Sequence, residues 1–232
     1  MVEMPTESEP VRVVQGDCLD VLRTLPDGCV DAVITDPPYG IGLMIHRNRT
    51  GERLQERYQT ILGDESTDIG IAALFWASER GLPTVAFANP MTPWPGKWRQ
   101  HLVWDKGAGV GGLGDYRRCW KQTWELIQVA RNGDLRAGRD SAILRFPVKP
   151  GTKRHHAEKP VELMRYLVRQ LTAPGELILD PFAGSGTTGV AAISEGRRCL
   201  LIEKEPAYAE ICRRRVREAM GTGLIAGVGD RT

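Results

Sequence analysis

The chain has 232 residues, a length that suits one domain with insertions and can bury a hydrophobic core without disulfide bonds. Hydrophobic residues make up 41% and charged residues 26% of the chain, which is ordinary for a soluble globular protein. The formal net charge of +2 neither requires nor excludes a nucleic-acid partner, so local clusters of basic residues must decide.

The five cysteines argue against a disulfide scaffold and against a zinc site, because their number is odd and no pair has C-x-x-C spacing. The neighbouring His155 and His156 have no Cys or carboxylate partner at ligand spacing, so no metal is expected. The first residues are polar and acidic, and no segment is long and apolar enough to cross a bilayer. We therefore expect a cytoplasmic protein without a membrane partner.

Strand and helix patterns alternate along the chain. The predicted strands are Val11–Asp17, Val30–Asp36, Pro83–Asn89, Leu102–Lys106, Trp124–Arg131, Ala142–Val148, Glu176–Asp180 and Arg198–Glu203. The predicted helices are Leu19–Leu25, Thr67–Arg80, Pro160–Leu171, Thr188–Glu195 and Pro206–Met220. This alternation predicts an α/β domain with a mostly parallel sheet.

The second predicted strand ends in Asp36-Pro37-Pro38-Tyr39. In an open α/β sheet, ligands bind at the carboxyl ends of the strands, which is where this tetrapeptide falls. Consecutive prolines fix φ and remove two amide donors, so the nearby carbonyl groups have little freedom. A carboxylate acceptor and a flat aromatic ring suit a planar substrate with an exocyclic NH2 group. Taken alone, the tetrapeptide fits equally well a turn with a surface Asp and a core Tyr.

A glycine-rich segment follows the strand that ends at Asp180. Gly184, Gly186 and Gly189 form a G-x-G-x-x-G pattern between a strand and a helix, and glycines permit a tight turn and close approach to a ligand. Glu203 ends the next strand, 23 positions after Asp180, a spacing that suits a carboxylate binding a ribose diol. The glycine pattern alone is equally compatible with a dinucleotide, whereas Glu203 disfavours the alternative of a plain βα turn.

Together the two motifs resemble the S-adenosylmethionine-dependent amino-methyltransferases of DNA, which act on adenine N6 or cytosine N4. In that family a DPPY-type motif holds the target amine, and an FxGxG motif, matched by Phe182-Ala183-Gly184-Ser185-Gly186, binds S-adenosylmethionine. The order, DPPY before FxGxG, resembles the permuted β group. The resemblance implies a Rossmann-like methyltransferase fold with helices on both faces of the sheet and the catalytic half before the cofactor half.

The resemblance also implies roles for individual residues. Lesser matches are Gly16-Asp17, Trp104-Asp105-Lys106 and the H-x-x-K-P segment that begins at His156. The implied catalytic residues are Asp36, Pro37, Pro38 and Tyr39. The implied cofactor-binding residues are Asp17, Cys18, His156, Lys159, Pro160, Asp180, Phe182, Ala183, Gly184, Ser185, Gly186, Thr187, Thr188, Glu203 and Lys204.

The implied mechanism is direct methyl transfer. Hydrogen bonds from the amine to Asp36 and to the Pro37 carbonyl would favour a pyramidal nitrogen whose lone pair faces the sulfonium. The base must first be flipped out of the duplex, at a cost of a few kcal/mol, and Tyr39 would stack on it. The chain lacks the Pro-Cys dipeptide expected of cytosine-C5 methyltransferases, so no covalent enzyme intermediate is expected.

Clusters of basic residues beside or within irregular stretches predict contacts with the phosphates of double-stranded DNA. The residues in these clusters are Arg47, Arg49, Arg53, Arg57, Arg117, Arg118, Lys121, Lys149, Lys153 and Arg154. We interpret the Arg-rich stretch of the last helix, Arg213 to Arg217, as a solvated face. Trp94, Trp98, Trp120 and Trp124 are interpreted as core residues instead of base-stacking residues.

We divide the chain into an N-terminal tail (1–10), a single methyltransferase domain (11–220) and a flexible tail (221–232). The domain comprises a catalytic half (11–131), a short candidate target-recognition segment (132–158) and a cofactor-binding half (159–220). This recognition segment is smaller than is usual in the family. Either the loop from Gly40 to Asp64 contributes, or a homodimer shares the work, or sequence specificity is loose. The residues leave open whether a cognate restriction enzyme exists.

The expected product is N6-methyladenine, because an Asp-initiated tetrapeptide is more usual for adenine in this family. Cytosine N4 methylation is the main alternative, and RNA or a protein amide is a further one. A non-catalytic nucleic-acid-binding module is disfavoured by the intact Asp36 and glycine loop. A nicotinamide-dependent oxidoreductase would leave Asp36–Tyr39 unexplained.

Overall fold

The computed structural model describes residues 2–39, 67–107, 120, 122–130, 140–148 and 158–221. The strands in these ranges are β1 Val11–Gln15, β2 Ala32–Thr35, β3 Thr84–Ala88, β4 Gln100–Asp105, β5 Trp124–Ala130, β6 Ile143–Arg145, β7 Leu177–Asp180 and β8 Arg198–Glu203. The helices are α1 Cys18–Leu22, α2 Asp68–Glu79, α3 Val161–Leu171, α4 Thr187–Ser194 and α5 Pro206–Gly221. Each predicted strand and helix is present in its predicted place.

Several strands are shorter than predicted, for reasons that local chemistry explains. β1 stops at Gln15 because Asp17 turns to cap α1, its carboxylate accepting a 3.0 Å hydrogen bond from the Leu19 amide. β2 stops before Pro37 and β6 before Pro147, since proline has no N–H to donate to a ladder.

The strands form one sheet in the order β1-β8-β7-β2-β3-β5-β4-β6. Neighbours among the first five are parallel, whereas β5 is antiparallel to both β3 and β4, and β6 is parallel to β4. The sheet is therefore mostly parallel, as predicted. From β7 the chain passes to β8 on one side, and from β2 it passes to β3 on the other. Ligands bind where strand order reverses in this way, which places the expected site between β7 and β2.

Helices cover both faces of the sheet. Helices α3, α4 and α5 bury the face that carries Ile34, Ile178 and Leu201. Helices α1 and α2 bury the opposite face, with Val33 and Leu179. Strands that are apolar on both faces are typical of a parallel sheet between two helix layers. In the described part of the chain, no helix combines the length and the apolar composition that a membrane span requires.

Candidate active site

A cavity of about 280 Å³ opens at the carboxyl ends of the central strands. It is lined by both predicted halves of the domain. The predicted site residues that line it are Cys18, Asp36, Pro37, Pro38, Tyr39, Lys159, Asp180, Phe182, Ala183, Gly184, Ser185, Thr187, Thr188, Glu203 and Lys204. Asp17, Pro160 and Gly186 are not in the cavity wall but adjoin residues that are, and His156 lies outside the described residues. The two motifs therefore meet in one site, although most of the chain separates them in sequence.

The tetrapeptide begins directly after β2. The Tyr39 hydroxyl donates a 2.6 Å hydrogen bond to Asp36 Oδ1, and the Tyr39 ring lies against Trp94 with centroids 6.2 Å apart. Trp94 is buried, and its indole donates a 2.7 Å hydrogen bond to the Phe87 carbonyl. The ring of Tyr39 thus lies against a fixed partner, and its hydroxyl bonds the neighbouring carboxylate.

Helix α2 packs closely against this corner. A Cβ atom placed on Gly70 would lie 2.8 Å from the Trp94 ring and 3.0 Å from Pro37 Cβ. Only glycine lets the helix approach both residues without displacing them. This contact was not foreseen from the sequence, because the partners are far from Gly70 along the chain.

A chain of buried charges extends from Asp36. Lys159 Nζ lies 2.7 Å from Asp36 Oδ2 and 2.9 Å from Glu125 Oε2, and Glu125 also pairs with Lys106. Burial acts to raise the pKa of Glu125, but Lys159 and Lys106 lower it to about 2. Burial acts to lower the pKa of Lys159, but Asp36 and Glu125 raise it above its usual range. The structure thus brings Lys159 to the Asp36 carboxylate.

Asp180, at the end of β7, connects the two motifs. Its carboxylate accepts hydrogen bonds from Thr35 (2.9 Å) on β2, from Thr188 (2.6 Å) on α4 and from the Phe182 amide (3.1 Å). Burial raises the pKa of Asp180 to about 6, although these hydrogen bonds act in the opposite direction. This carboxyl group joins the start of the glycine loop to the strand that carries Asp36.

Two glycines of the loop have left-handed backbone conformations. Gly184 has φ +52° and Gly186 has φ +78°. A Cβ on Gly184 would meet no atom within 4 Å, whereas a Cβ on Gly186 would lie 2.5 Å from Cys212 Sγ on α5. Gly184 leaves space towards the cavity, and Gly186 is required where the loop packs on α5.

Glu203 lies opposite this loop. Its carboxylate accepts 2.8 Å hydrogen bonds from the backbone amides of Gly184 and Glu205. Burial raises the pKa of Glu203. Beside it, Lys204 Nζ lies 3.1 Å from Asp17 Oδ2, so the predicted residues Asp17 and Lys204 form a pair at the rim.

Arg215 and Glu158 were not among the predicted site residues. Arg215 is only 8% exposed, lies 2.6 Å from Glu158 and donates a 2.8 Å hydrogen bond to the Ser185 carbonyl. The solvated-face interpretation of the last helix is therefore wrong for Arg215, which fixes the glycine loop to α5. Helical spacing carried a usable signal, because Arg215 lies three and seven positions after Cys212 and Tyr208, on the apolar face.

The remaining arginines of this stretch differ from Arg215. Arg214 and Arg217 are exposed, and Arg213 is half-buried, so the interpretation is correct for the first two. Among the tryptophans, Trp94 is buried as expected and Trp98 is half-buried, whereas Trp124 is 37% exposed and is not a core residue. Trp120 is 99% exposed, so its assignment to the core is wrong: it lies outside the described strands and helices and packs against none of them.

Other cavity residues also escaped prediction. They are Ile69, Phe87, Met164, Pro181, Ile202, Glu205 and Tyr208, whereas Gly16, which also lines the cavity, belongs to one of the lesser sequence matches. Most are apolar, and an apolar side chain at a site looks in sequence like any core residue. All the basic residues predicted to contact DNA lie outside the described residues.

Comparisons with known proteins agree with this fold. A profile of the N6_N4_Mtase family, described as "DNA methylase", matches residues 103–214. Two solved structures share the fold. The M1.HpyAVI–SAM complex has a TM-score of 0.62 at 19% identity, covering 88% of this chain and 99% of that chain. The PvuII DNA methyltransferase, described as cytosine-N4-specific, has a TM-score of 0.64 at 14% identity, covering 95% and 94%.

Similarity in sequence is stronger for two bacterial proteins. The Citrobacter freundii "Type II methyltransferase M.Cfr9I" is 27% identical over 265 residues, with 89% of this chain and 88% of that protein covered. The Escherichia coli "Putative methylase YubD" is 33% identical over 211 residues, with 85% and 86% covered. With this identity over most of both proteins, and with the fold and profile in agreement, the chain belongs to the DNA methylase family of S-adenosylmethionine-dependent amino-methyltransferases.

Proposed function

We propose that this protein transfers a methyl group from S-adenosylmethionine to the N6 amine of a flipped adenine in double-stranded DNA. The observation that carries the proposal is the single cavity in which Asp36 and Gly184 meet. One wall offers a carboxylate and an aromatic ring, and the other offers a glycine loop and an acidic strand end. Such a site can hold two reactants in line, which removes much of the barrier of a bimolecular reaction.

The second wall fits the methyl donor. An ionised carboxylate has about four lone-pair positions, and the Glu203 carboxylate uses two of them for Gly184 and Glu205. The Lys204 amide also bonds this carboxylate, which leaves a lone-pair position for a ribose hydroxyl, and the open space at Gly184 admits a ligand against the backbone. When bound, S-adenosylmethionine supplies a methyl group activated by its positive sulfonium. We assign Glu203 and residues 182–188 to its binding.

The first wall fits the target amine. Asp36 Oδ1 and Oδ2 contact Tyr39 and Lys159, which leaves lone pairs on both oxygens to accept an amine hydrogen. The Pro37 carbonyl would accept the second hydrogen. As the new C–N bond forms and the S–CH3 bond of the donor breaks, the donor leaves as a neutral thioether and the nitrogen becomes positive, so a fixed carboxylate beside it would stabilise the transition state. The methylated amine would then release one proton to water. Stacking of the flipped base on Tyr39 would contribute about 1–3 kcal/mol.

The basic clusters complete the proposal. Arg47, Arg49, Arg53 and Arg57 follow the tetrapeptide directly in sequence, so we assign them to phosphate contacts beside the flipped base. The other predicted DNA contacts keep the same assignment. A pairing with a restriction enzyme is suggested by the name of M.Cfr9I, a type II methyltransferase, and a homodimer would compensate for the short recognition segment.

Cytosine N4 is the competing target, because the PvuII enzyme of the same fold is described as specific for it. Both amines offer two hydrogens to Asp36 and Pro37. Adenine is favoured by its larger stacking area on Tyr39 and by the Asp that begins the tetrapeptide.

The product decides between them. Purified protein is incubated with S-adenosylmethionine and DNA that lacks methylated bases, and the digested nucleosides are analysed by mass spectrometry. N6-methyladenine is the expected product. N4-methylcytosine as the main product would refute the adenine assignment and leave the transfer mechanism standing, and no methylated nucleoside on any DNA would refute the proposed function.

A further inference from the structure

Lys159 lines the cavity, and its ammonium group faces the Asp36 carboxylate. Its side chain is only 9% exposed, and its Nζ lies 2.7 Å from Asp36 Oδ2 and 2.9 Å from Glu125 Oε2. The resemblance of the H-x-x-K-P segment places this residue beside the cofactor. Its observed ion pairs instead connect β2 with β5, on the side of the cavity where the target amine is expected.

We propose that Lys159 is a positioning residue for methyl transfer, which holds the Asp36 carboxylate in one orientation relative to the target amine. The proposal rests on the proposed function of this site. Lys159 fixes Oδ2 while the Tyr39 hydroxyl, 2.6 Å away, fixes Oδ1. A carboxylate held at both oxygens cannot rotate about its Cβ–Cγ bond, so its remaining lone pairs keep a constant direction.

The surroundings of Lys159 hold the ammonium group as firmly as it holds Asp36. The Nζ atom lies 4.7 Å from the centroid of the Phe87 ring and 5.9 Å from that of Trp104, within the range of cation–π attraction. The two rings meet edge to face, 6.2 Å apart, and both residues are buried. The ammonium thus has aromatic walls and two carboxylate partners, which together define one position.

Glu125 balances the charge of this arrangement. If Asp36 were the only carboxylate paired with Lys159, the ammonium group would neutralise the charge of Asp36 completely. Glu125 shares Lys159 with Asp36 and pairs in turn with Lys106. The four residues alternate in sign and sum to zero, which is the condition under which buried charges are tolerated. Asp36 therefore keeps part of its negative charge for the amine while its orientation stays fixed.

A positioning role predicts that loss of Lys159 lowers the rate of methyl transfer but leaves the affinity for S-adenosylmethionine nearly unchanged. Removal of the ammonium in Lys159→Gln should release Asp36 Oδ2, and misplacement of a reacting group by about 1 Å can cost about 10²-fold in rate. The affinity for S-adenosylmethionine should stay close to that of the wild type, because the ion pairs of Lys159 are with Asp36 and Glu125. The conservative variant Lys159→Arg should recover part of the rate, since it restores a cation.

The matched control is Arg165→Gln. Arg165 lies on α3, the helix that begins just after Lys159, and pairs with Glu195 at 2.7 Å outside the cavity wall. Its loss removes an ion-pairing cation from the same helix without touching Asp36. Single-turnover rates on DNA, calorimetric affinity for S-adenosylmethionine and thermal unfolding are measured for the wild type and for all three variants.

A roughly 10²-fold loss of rate in Lys159→Gln, with near-normal cofactor affinity and a normal rate in Arg165→Gln, supports the proposal. A full rate in Lys159→Gln overturns it, and so does an equal loss of rate and of cofactor affinity, which would make Lys159 a cofactor-binding residue. Should Lys159→Gln not fold, Lys159→Arg decides: a reduced rate at normal affinity supports positioning, and an unchanged rate overturns it. Absence of activity in the wild type would instead refute the proposed function itself.

Discussion

The two strand ends that face the cavity are held in place by different forces. The glycine loop after β7 is held through its backbone: the Gly186 amide bonds the Ala183 carbonyl at 2.8 Å, the Ala183 amide bonds the Ile202 carbonyl at 2.9 Å, and the side chains of Glu203 and Arg215 also bond backbone groups of the loop. Asp36 after β2 is fixed by side chains, through Tyr39 beside it and Lys159 far along the chain.

This difference assigns a separate property to each region: the backbone conformation of the glycine loop and the electrostatics of the Asp36 carboxylate. A loop that is shaped by its own backbone depends on a few residues that can adopt unusual φ angles, and its role is to fit a ligand. A carboxylate placed by polar and charged side chains depends on partners that also set its electrostatics. We therefore expect substitutions in the first region to change stability and cofactor affinity, and substitutions in the second to change the rate.

The largest effect is expected for Asp36→Ala. Loss of one preorganised polar group at a transition state typically costs about 10²–10³-fold in kcat, and Asp36 has no substitute in this position. Cofactor affinity, measured by calorimetry, should change little. Asp20→Ala, which removes an exposed Asp of α1, is the control. Parallel losses of rate and cofactor affinity would contradict the division between the two regions.

Gly186→Ala should destabilise the protein more than Gly184→Ala. Both substitutions force alanine into a left-handed conformation, at about 1–2 kcal/mol. At Gly186 the new Cβ also meets Cys212 Sγ at 2.5 Å, and overpacking of this kind costs about 1–3 kcal/mol more. Denaturant unfolding without cofactor measures the loss of unfolding free energy in both variants. Equal destabilisation would show that α5 moves away freely.

Glu203→Ala should weaken cofactor binding by about 1.5–3 kcal/mol, the range for hydrogen bonds to a charged group. Titration calorimetry with S-adenosylmethionine checks this value. Glu203→Gln keeps the size of the side chain and removes only the charge, so its loss of cofactor-binding free energy should be smaller than that of Glu203→Ala. Unchanged affinity in Glu203→Ala would make Glu203 a structural residue that only holds the loop.

Asp180 bonds Thr35 at the end of β2 and Thr188 after the glycine loop, and it should change how the unfolding free energy depends on pH. Its pKa rises from an ordinary 3.8 to about 6 on folding. Between these values the folded chain holds a proton that the unfolded chain has released, so this group lowers stability as pH rises. In Asp180→Asn the slope of unfolding free energy against pH should increase by up to about 1.4 kcal/mol per unit. Curves parallel to those of the wild type and of Asp20→Asn would contradict this.

The smallest effect is expected on the DNA side. Joint neutralisation of Arg47, Arg49 and Arg53 should weaken DNA binding and flatten its salt dependence, by about 0.9 in the log–log slope for each phosphate that is no longer neutralised. Binding titrations at several salt concentrations give the slope, with Arg214→Gln on the exposed side of α5 as the control. A slope equal to that of the wild type would show that the three arginines do not neutralise phosphates of the bound DNA.

The same contrast explains what could be predicted from the sequence. The strand ends and the glycine loop were predictable, because prolines, glycines and apolar runs act on their own neighbourhood. The partners of Asp36 were not, since nothing local to Lys159 or Glu125 indicates that they meet. Arg215 was misjudged because it stands in an Arg-rich run whose members Arg214 and Arg217 are exposed, and only its helical phase separates it from them.

The strand order has a consequence for how the chain folds. β1 pairs with β8 and β2 pairs with β7, so this half of the sheet joins strands from the early and late parts of the described chain. Contacts of such long sequence separation slow folding, because a large loop must close before they form. During synthesis the apolar strand that leads to Asp36 therefore emerges well before its partner β7. Until β7 follows, β2 can pair only with β3, and its other edge stays open to chaperones and to self-association.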